Sequence, residues 1–217
     1  ADIATESQSR SRRRRRGGEA APKPPFLSEQ LEWGAASYLD NPTEPVNEEG
    51  VEAIHEASMR VLEDVGILFL NDDALDVLEA AGCTVDRETK RVRMDRNFVI
   101  EMAAKAPATF TITPRNPDRE ITVGGRQFNF GQVASAPNVM DLDRGRRIGN
   151  RADYQDLLRL SQAYNCIRFN SGYPVEPIDI HASIRHLDAH YDMLTLTDKV
   201  IHAYSLGPER IEDVMEM

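Results

Sequence analysis

Cys166-Ile167-Arg168-Phe169-Asn170 is a short, mostly apolar run, and Ser171-Gly172-Tyr173-Pro174 turns the chain away from it. Together they read as a strand and its following loop. Upstream, Asn150 stands before a helical pattern with Asp153 at its third position, a capping-box-like pair. Tyr154, Leu157, Leu158 and Ser161 form the inner face of that helix. Downstream, a long helix is expected from about Asp179, because Ile180, Ile184, Leu187, Tyr191 and Leu194 recur at helical spacing. Val200-Ile201-His202-Ala203-Tyr204 reads as the next strand. Pro208 opens another helix, a position where its missing N–H is tolerated. Strand, helix and strand in this order make a parallel βαβ unit. Without a GxGxxG fingerprint, the alternation favours a (β/α)8 TIM-type barrel over a dinucleotide-binding sheet. Closure takes about eight strands, so only the first part of an α/β barrel is expected here.

The change of rhythm falls in Asn129-Phe130-Gly131-Gln132-Val133-Ala134-Ser135-Ala136-Pro137-Asn138-Val139-Met140-Asp141-Leu142-Asp143. Small residues and Pro137 crowd this stretch, as in a surface connection or a backbone lying close to something. Before it, 27–125 reads as an α+β N-terminal region. Ser28 caps a short helix through Leu31 and Trp33. A clearer helix covers 48–66, with Ile54, Val61, Leu62 and Val65 as its apolar stripe and His55 outside that stripe. Asn71 and Asp95 stand at helix starts, and Gly66 and Gly82 at helix ends. Thr84-Val85-Asp86 and Arg91-Val92-Arg93 alternate like a hairpin. Ile121-Thr122-Val123 and Gln127-Phe128-Asn129-Phe130 read as a second hairpin around Gly124-Gly125. The resulting division is a disordered Arg-rich tail over 1–26, the α+β region over 27–125, and the first βα units of a truncated barrel over 126–217.

The formal charge is −10. Six arginines and Lys23 against Asp2, Glu6 and Glu19 leave 1–26 with a surplus of four positive charges, and the rest at −14. A body of that sign does not favour nucleic acid, where neutralising phosphate dominates affinity. No apolar run reaches the ~20 residues of a membrane helix, and no apolar signal segment follows the arginines. The expected location is cytoplasmic. Cys83 and Cys166, with no CxxC and no Cys/His cluster, give no zinc pattern. The final residues stop inside a helical pattern, which reads as a fragment.

His186 and His190 stand at i, i+4 and share a helix face, with His181, Asp188 and Asp192 nearby. Two histidines so placed can bind a metal. With no HExxH and no third ligand in view, a charged outer face of a crossover helix is the preferred reading and no metal is expected. On a barrel the active face carries the residues just after each strand. That selects Asn170 to Tyr173, then Ser205 to Gly207, with 131–141 approaching the same face; Phe130, Gly131, Tyr173, His202 and Tyr204 are the candidates at or near it. Tyr173 and Tyr204 suit either packing or an aromatic wall for a cation. His202 is either a satisfied core histidine or a ligand-facing one. Asn138 and Asp141 either position a polar ligand or satisfy turn backbone groups. No Ser-His-Asp set, P-loop or nucleophile elbow is present.

Several stretches in order carry a resemblance. Val51-Glu52-Ala53-Ile54-His55-Glu56-Ala57-Ser58-Met59-Arg60-Val61-Leu62-Glu63-Asp64-Val65-Gly66-Ile67 resembles the opening of the trimethylamine methyltransferase family. Ala106-Pro107-Ala108-Thr109-Phe110, Pro114-Arg115-Asn116-Pro117, Ala136-Pro137-Asn138-Val139-Met140-Asp141, Arg185-His186-Leu187-Asp188 and Thr197-Asp198-Lys199 continue it. The resemblance implies a (β/α)8 barrel that moves a methyl group from a tertiary or quaternary amine, of trimethylamine or glycine betaine type, to a cobalt corrinoid. The corrinoid is carried by a separate small protein, so the implied partners are that corrinoid protein and the amine. The resemblance leaves self-association open. Family members often carry a glycine-rich run after the phenylalanine, where this chain has Gly131-Gln132-Val133-Ala134-Ser135. That departure keeps a second reading in view: a non-catalytic homologue that binds a methylated amine or acts as an interaction protein.

Overall fold

A computed structural model describes residues 30–34, 36–41, 43–202 and 207–217. The Arg-rich tail and Ser28 lie outside the described residues, as do Tyr204 and Ser205. In chain order the elements are β1 (Ala36–Ser37), α1 (Glu48–Arg60), continued by a π turn over Val61–Val65, β2 (Ile67–Leu68), α2 (Asp72–Ala80), β3 (Thr84–Asp86), β4 (Arg91–Arg93), α3 (Arg96–Ala104) and β5 (Thr109–Ile112). After a 3-10 turn at Pro117–Arg119 come β6 (Ile121–Gly124), β7 (Gln127–Phe128), β8 (Phe130–Gly131), β9 (Asn138–Asp141) and β10 (Gly145–Ile148). Then follow α4 (Arg151–Ala163), β11 (Ile167–Asn170), α5 (Arg185–Leu196), β12 (Val200–Ile201) and α6 (Pro208–Glu216).

The caps act as their chemistry dictates. Asn71, Asp95 and Asn150 accept backbone N–H groups of Ala74, Phe98 and Asp153, donors that no helix can satisfy internally. Gly66 and Gly82 adopt φ of 74° and 91°, left-handed values that favour glycine. Asp153 does not reach back to complete a capping box. Its buried carboxylate instead takes an ion pair from Arg147 of β10.

The organising sheet is parallel, in the order β12-β11-β8. Helix α4 lies between β8 and β11 in sequence, and α5 between β11 and β12. A core of Tyr154, Leu158, Tyr173, Val175, Ala189 and Met193 packs these helices together. The Tyr154 hydroxyl donates to the Ala189 carbonyl at 2.9 Å, so its one polar group is satisfied inside that core. A separate small core of Leu75, Cys83 and Val92 supports the three-stranded antiparallel sheet β2-β4-β3.

Four expectations need correction. Residues 30–34 are not helical. They form a strap whose Trp33 lies under Arg119 and Arg168, at 4.5 and 4.6 Å from the ring centroid. The second hairpin does not form. β6 pairs antiparallel with β5, β7 pairs with β1, and Phe130–Gly131 joins the parallel sheet. Runs this short carry the β period but not their partner. The helix expected from Asp179 begins at Arg185. Its buried side is His186, Ala189, His190, Asp192 and Met193, whereas Ile184 and Tyr191 of the expected seam are exposed. The stripe on α1 is likewise largely exposed at Ile54, Val61 and Val65.

β8 and β11 approach closely because residue 131 has no side chain. A Cβ there would meet the Phe169 ring at 2.5 to 2.9 Å. Gly131→Ala should therefore lower stability by about 1–3 kcal/mol, the usual cost of overpacking. Gly131→Ala with Phe169→Leu should recover part of that loss. Urea unfolding of the two variants checks both outcomes.

Candidate functional site

The carboxyl ends of the three parallel strands are laced together. The Ser171 hydroxyl donates to the Gln132 carbonyl, and Gln132 Nε2 donates to the Gly172 carbonyl at 3.2 Å. The His202 N–H donates to the Asn170 carbonyl at 3.0 Å. Beyond them two loops run together through Ser135 N–H to the Tyr173 carbonyl (2.7 Å) and Glu176 N–H to the Ala136 carbonyl (2.8 Å). Asn170 is fully buried and fixed by the Ser161 hydroxyl at 2.7 Å. The strand ends are thus positioned from the helix side as well.

A cavity of about 600 Å³ opens against this edge. Phe169, Ser171, Ile201 and His202 line it from the parallel sheet, and Ile112, Ile121 and Val123 from β5 and β6. Gln127 and Asn129 supply polar groups. Among the described residues His202 is the one ionisable side chain in its lining. Near it, Asn129 Oδ1 is buried without a hydrogen-bond partner, while Asn129 Nδ2 donates to the Thr122 carbonyl at 2.6 Å. Gln132 Oε1 is also buried and unpartnered. The Phe169 ring, the apolar walls and the neutral amides of Gln127 and Asn129 suit a cation that has no N–H to donate. They supply no acid–base pair.

The structure brings together only some of the residues singled out from sequence. Gly131 and His202 stand at strand ends. His202 lies just past β12, not inside a strand. Phe130 is half-exposed, stacks on Phe128 with ring centroids 6.1 Å apart, and lines a different cavity. Tyr173 is buried edge-on against Tyr154, at 5.7 Å and 86°, within the core. Asn138 pairs with Ile148 in the β9–β10 hairpin. Asp141 closes that hairpin. Its carboxylate accepts the Arg144 N–H at 2.7 Å and pairs with Arg147 at 2.7 Å. Phe169, Asn129 and Gln132 were not singled out. Phe169 stood in the predicted strand, but a two-sided apolar run does not reveal which side faces a cavity.

His186 and His190 are buried, not on an outer face. His186 Nε2 lies 2.7 Å from Asp213 of α6, and burial lowers the His190 pKa. Among the described residues no group of three or more His, Cys, Asp or Glu is placed to hold a metal ion. Likewise, no helix among them is long and apolar enough to cross a membrane.

Comparison with known proteins gives a consistent result. The family model described as trimethylamine methyltransferase (MTTB) matches residues 8–217. A glycine betaine methyltransferase of Desulfitobacterium hafniense strain Y51 is 36% identical over 172 residues, 79% of this chain and 36% of that protein. A trimethylamine methyltransferase MttB of Desulfitobacterium hafniense strain DSM 10664 / DCB-2 is 26% identical over 172 residues, 79% of this chain and 34% of that protein. A proline betaine:corrinoid methyltransferase of Eubacterium limosum is 30% identical over 138 residues, 62% of this chain and 27% of that protein. The chain thus spans about a third of the length of the curated relatives it matches.

The Asp141 carboxyl is held down to about 2, from 3.8, chiefly by the Arg144 backbone N–H and further by the Arg144 and Arg147 side chains. A depressed carboxyl stabilises the fold fully above its unfolded value, and that contribution is lost as pH falls through the folded one. Stability should therefore decline between about pH 4 and pH 2, and Asp141→Asn should flatten that part of the profile. Thermal melts across this range, comparing the two proteins, check it.

Proposed function

The chain belongs to the trimethylamine methyltransferase family, and from that membership we propose that it contributes the opening strands of a (β/α)8-barrel methyltransferase. The enzyme moves a methyl group from a tertiary or quaternary amine, of trimethylamine or betaine type, to the cobalt of a corrinoid carried by a partner protein. The observation that carries the reading is the cavity at the carboxyl ends of β11 and β12. Its walls are apolar and aromatic, with the neutral amides of Gln127 and Asn129 among them. The relatives' names supply the methylated amines and, in one case, the corrinoid.

The donor set fits the substrate better than a proton-transfer reaction would require. A quaternary nitrogen has no proton to give and no lone pair to protect, so its methyl groups need only polarisable walls and partial negative charge. A reduced corrinoid, when bound, supplies the strong nucleophile that such a stable methyl donor demands. What remains for this chain is to bind the cation, exclude water and align one methyl group towards the open end. In the proposed site Phe169 presents the ring, Gln127 and Asn129 the amides, and Ser171 and His202 the rim. Reduced corrinoid chemistry belongs in a reducing compartment, which agrees with two free thiols and a cytoplasmic location.

These strands alone are not expected to turn over, so the full-length enzyme, incubated with reduced corrinoid and a panel of methylated amines, should yield a demethylated amine from at least one of them, read by mass spectrometry. No demethylation of any would overturn the activity. Binding is tested separately. Phe169→Leu keeps an apolar wall but loses the ring face. It should weaken quaternary ammonium binding by about 0.5–2 kcal/mol in calorimetry, with little effect on an uncharged isostere.

A further inference from the structure

On β11, the central strand of the parallel sheet, a buried cation holds donors with no acceptor. Arg168 is 4% exposed. Its Nη2 donates to the Glu120 carbonyl at 3.3 Å, while Nε and Nη1 are buried without partners. Two other cations stand over the same Trp33 ring, Arg119 and Lys199. Arg119 lies 3.8 Å from the Asp198 carboxylate, and Lys199 donates to three backbone carbonyls. Among the described residues Arg168 alone of the three has neither a carboxylate nor a full set of acceptors. Burial pushes its pKa down, as expected for a cation removed from water without a counter-charge.

Arg168 forms part of the wall of a cavity of about 500 Å³. Leu31, Phe128, Phe130 and Cys166 contribute apolar and soft surface to it, and Glu32 a carboxylate. Phe128 and Phe130 stack at 18° with about half of each side chain exposed, so an aromatic platform faces solvent beside a buried guanidinium. The strap 30–34 closes over Arg168 and the start of β11. It is held by Asn165 N–H to Gln30 Oε1 and Asn165 Nδ2 to the Leu31 carbonyl, both 2.9 Å, and by Gln30 Nε2 to the Ala163 carbonyl at 3.1 Å.

We propose that this cavity binds a small carboxylate with an aromatic or branched apolar body. The acid meets Arg168 Nε and Nη1, and the body lies against Phe128 and Phe130. A planar carboxylate matches the guanidinium fork, and neutralising an uncompensated buried charge is what makes the site selective for an anion. Both donors are shielded by the strap, so entry shifts residues 30–34 and leaves the sheet in place. Glu32 opposes a second negative charge, which disfavours dianions. The site is separate from the proposed amine cavity and does not depend on that reading.

Cys166 is exposed in this cavity and Cys83 is buried, so iodoacetamide alkylation of the native protein reports on the site. Benzoate should slow Cys166 alkylation saturably, and benzylamine, the same ring with a positive charge, should not. Arg168→Met should raise the half-protecting benzoate concentration about tenfold or more, the worth of a charged hydrogen bond. Glu32→Gln, at an exposed position, should lower it by up to about fivefold. Absence of protection by benzoate, or equal protection by benzylamine, overturns the proposal, as does equal protection in a folded Arg168→Met variant. If Arg168→Met does not fold, Glu32→Gln decides: tighter protection supports the site, and an unchanged value overturns it.

Discussion

A lysine with almost no contact with water joins the parallel strands to their helices. Lys199 is 2% exposed, and its ammonium donates to the carbonyls of Ser161, Tyr164 and Ile167. Ser161 lies in the last turn of α4, where carbonyls have no intrahelical partner and the helix dipole is negative. Ile167 opens β11, and Lys199 itself immediately precedes β12. One charge therefore ties together the end of a helix and the starts of two strands. Burial, and secondarily Arg119, push its pKa down to about 8, so desolvation outweighs its favourable neighbours. It still carries its proton at neutral pH, and the three acceptors keep the buried charge tolerable.

The neighbours of Lys199 extend the same stitching into the N-terminal region. Asp198 accepts Asn116 Nδ2 and Gln162 Nε2, each at 2.8 Å, and Arg115 donates to the carbonyls of Leu194 and Thr197 at 2.5 and 2.7 Å. Pro114-Arg115-Asn116-Pro117 and Thr197-Asp198-Lys199 were two of the stretches that carried the family resemblance. They turn out to be two halves of one joint. Arg185-His186-Leu187-Asp188 behaves alike, with His186 on Asp213 and Asp188 on Arg151 at 3.0 Å. The most recognisable residues in this chain are connectors between elements, not parts of the cavity. A joint needs particular donors at particular places, whereas an apolar wall accepts many side chains.

That difference explains what the sequence disclosed. Caps at Asn71, Asp95 and Asn150, left-handed glycines at 66 and 82, and strands around Ile167 and Val200 follow from local rules, and those were legible. The partners of β5 to β8 were not, because two to four residues of β pattern do not specify which strand lies beside them. The apolar periodicity on α5 was real but pointed to the wrong side. His186, His190 and Asp192 are buried there because each finds a polar partner or a site where it stays neutral, which periodicity cannot show. Asp141 and Tyr173 were weighed between site and scaffold, and the structure gives Asp141 to a turn and Tyr173 to a core. The cavity itself was invisible, since Phe169, Asn129 and the side chains of β5 and β6 meet only after the strands have paired.

The stretch 131–135, where this chain lacks the expected glycine run, now has a physical setting. Gly131 remains glycine because the Phe169 ring fills its Cβ position. Ser135 adopts φ of 60°, a left-handed value uncommon for a residue with a side chain, and its N–H is held by Tyr173. The backbone of this segment is thus fixed at both ends by the second strand and its loop, whatever side chains lie between. Val133 and Ala134 stay exposed, and Gln132 places its idle oxygen beside the strand ends. The exposed side chains at 133 and 134 can change without disturbing the contacts at 131 and 135. The loss of glycine there alters what the loop presents, while the strand beneath it stays where Phe169 requires.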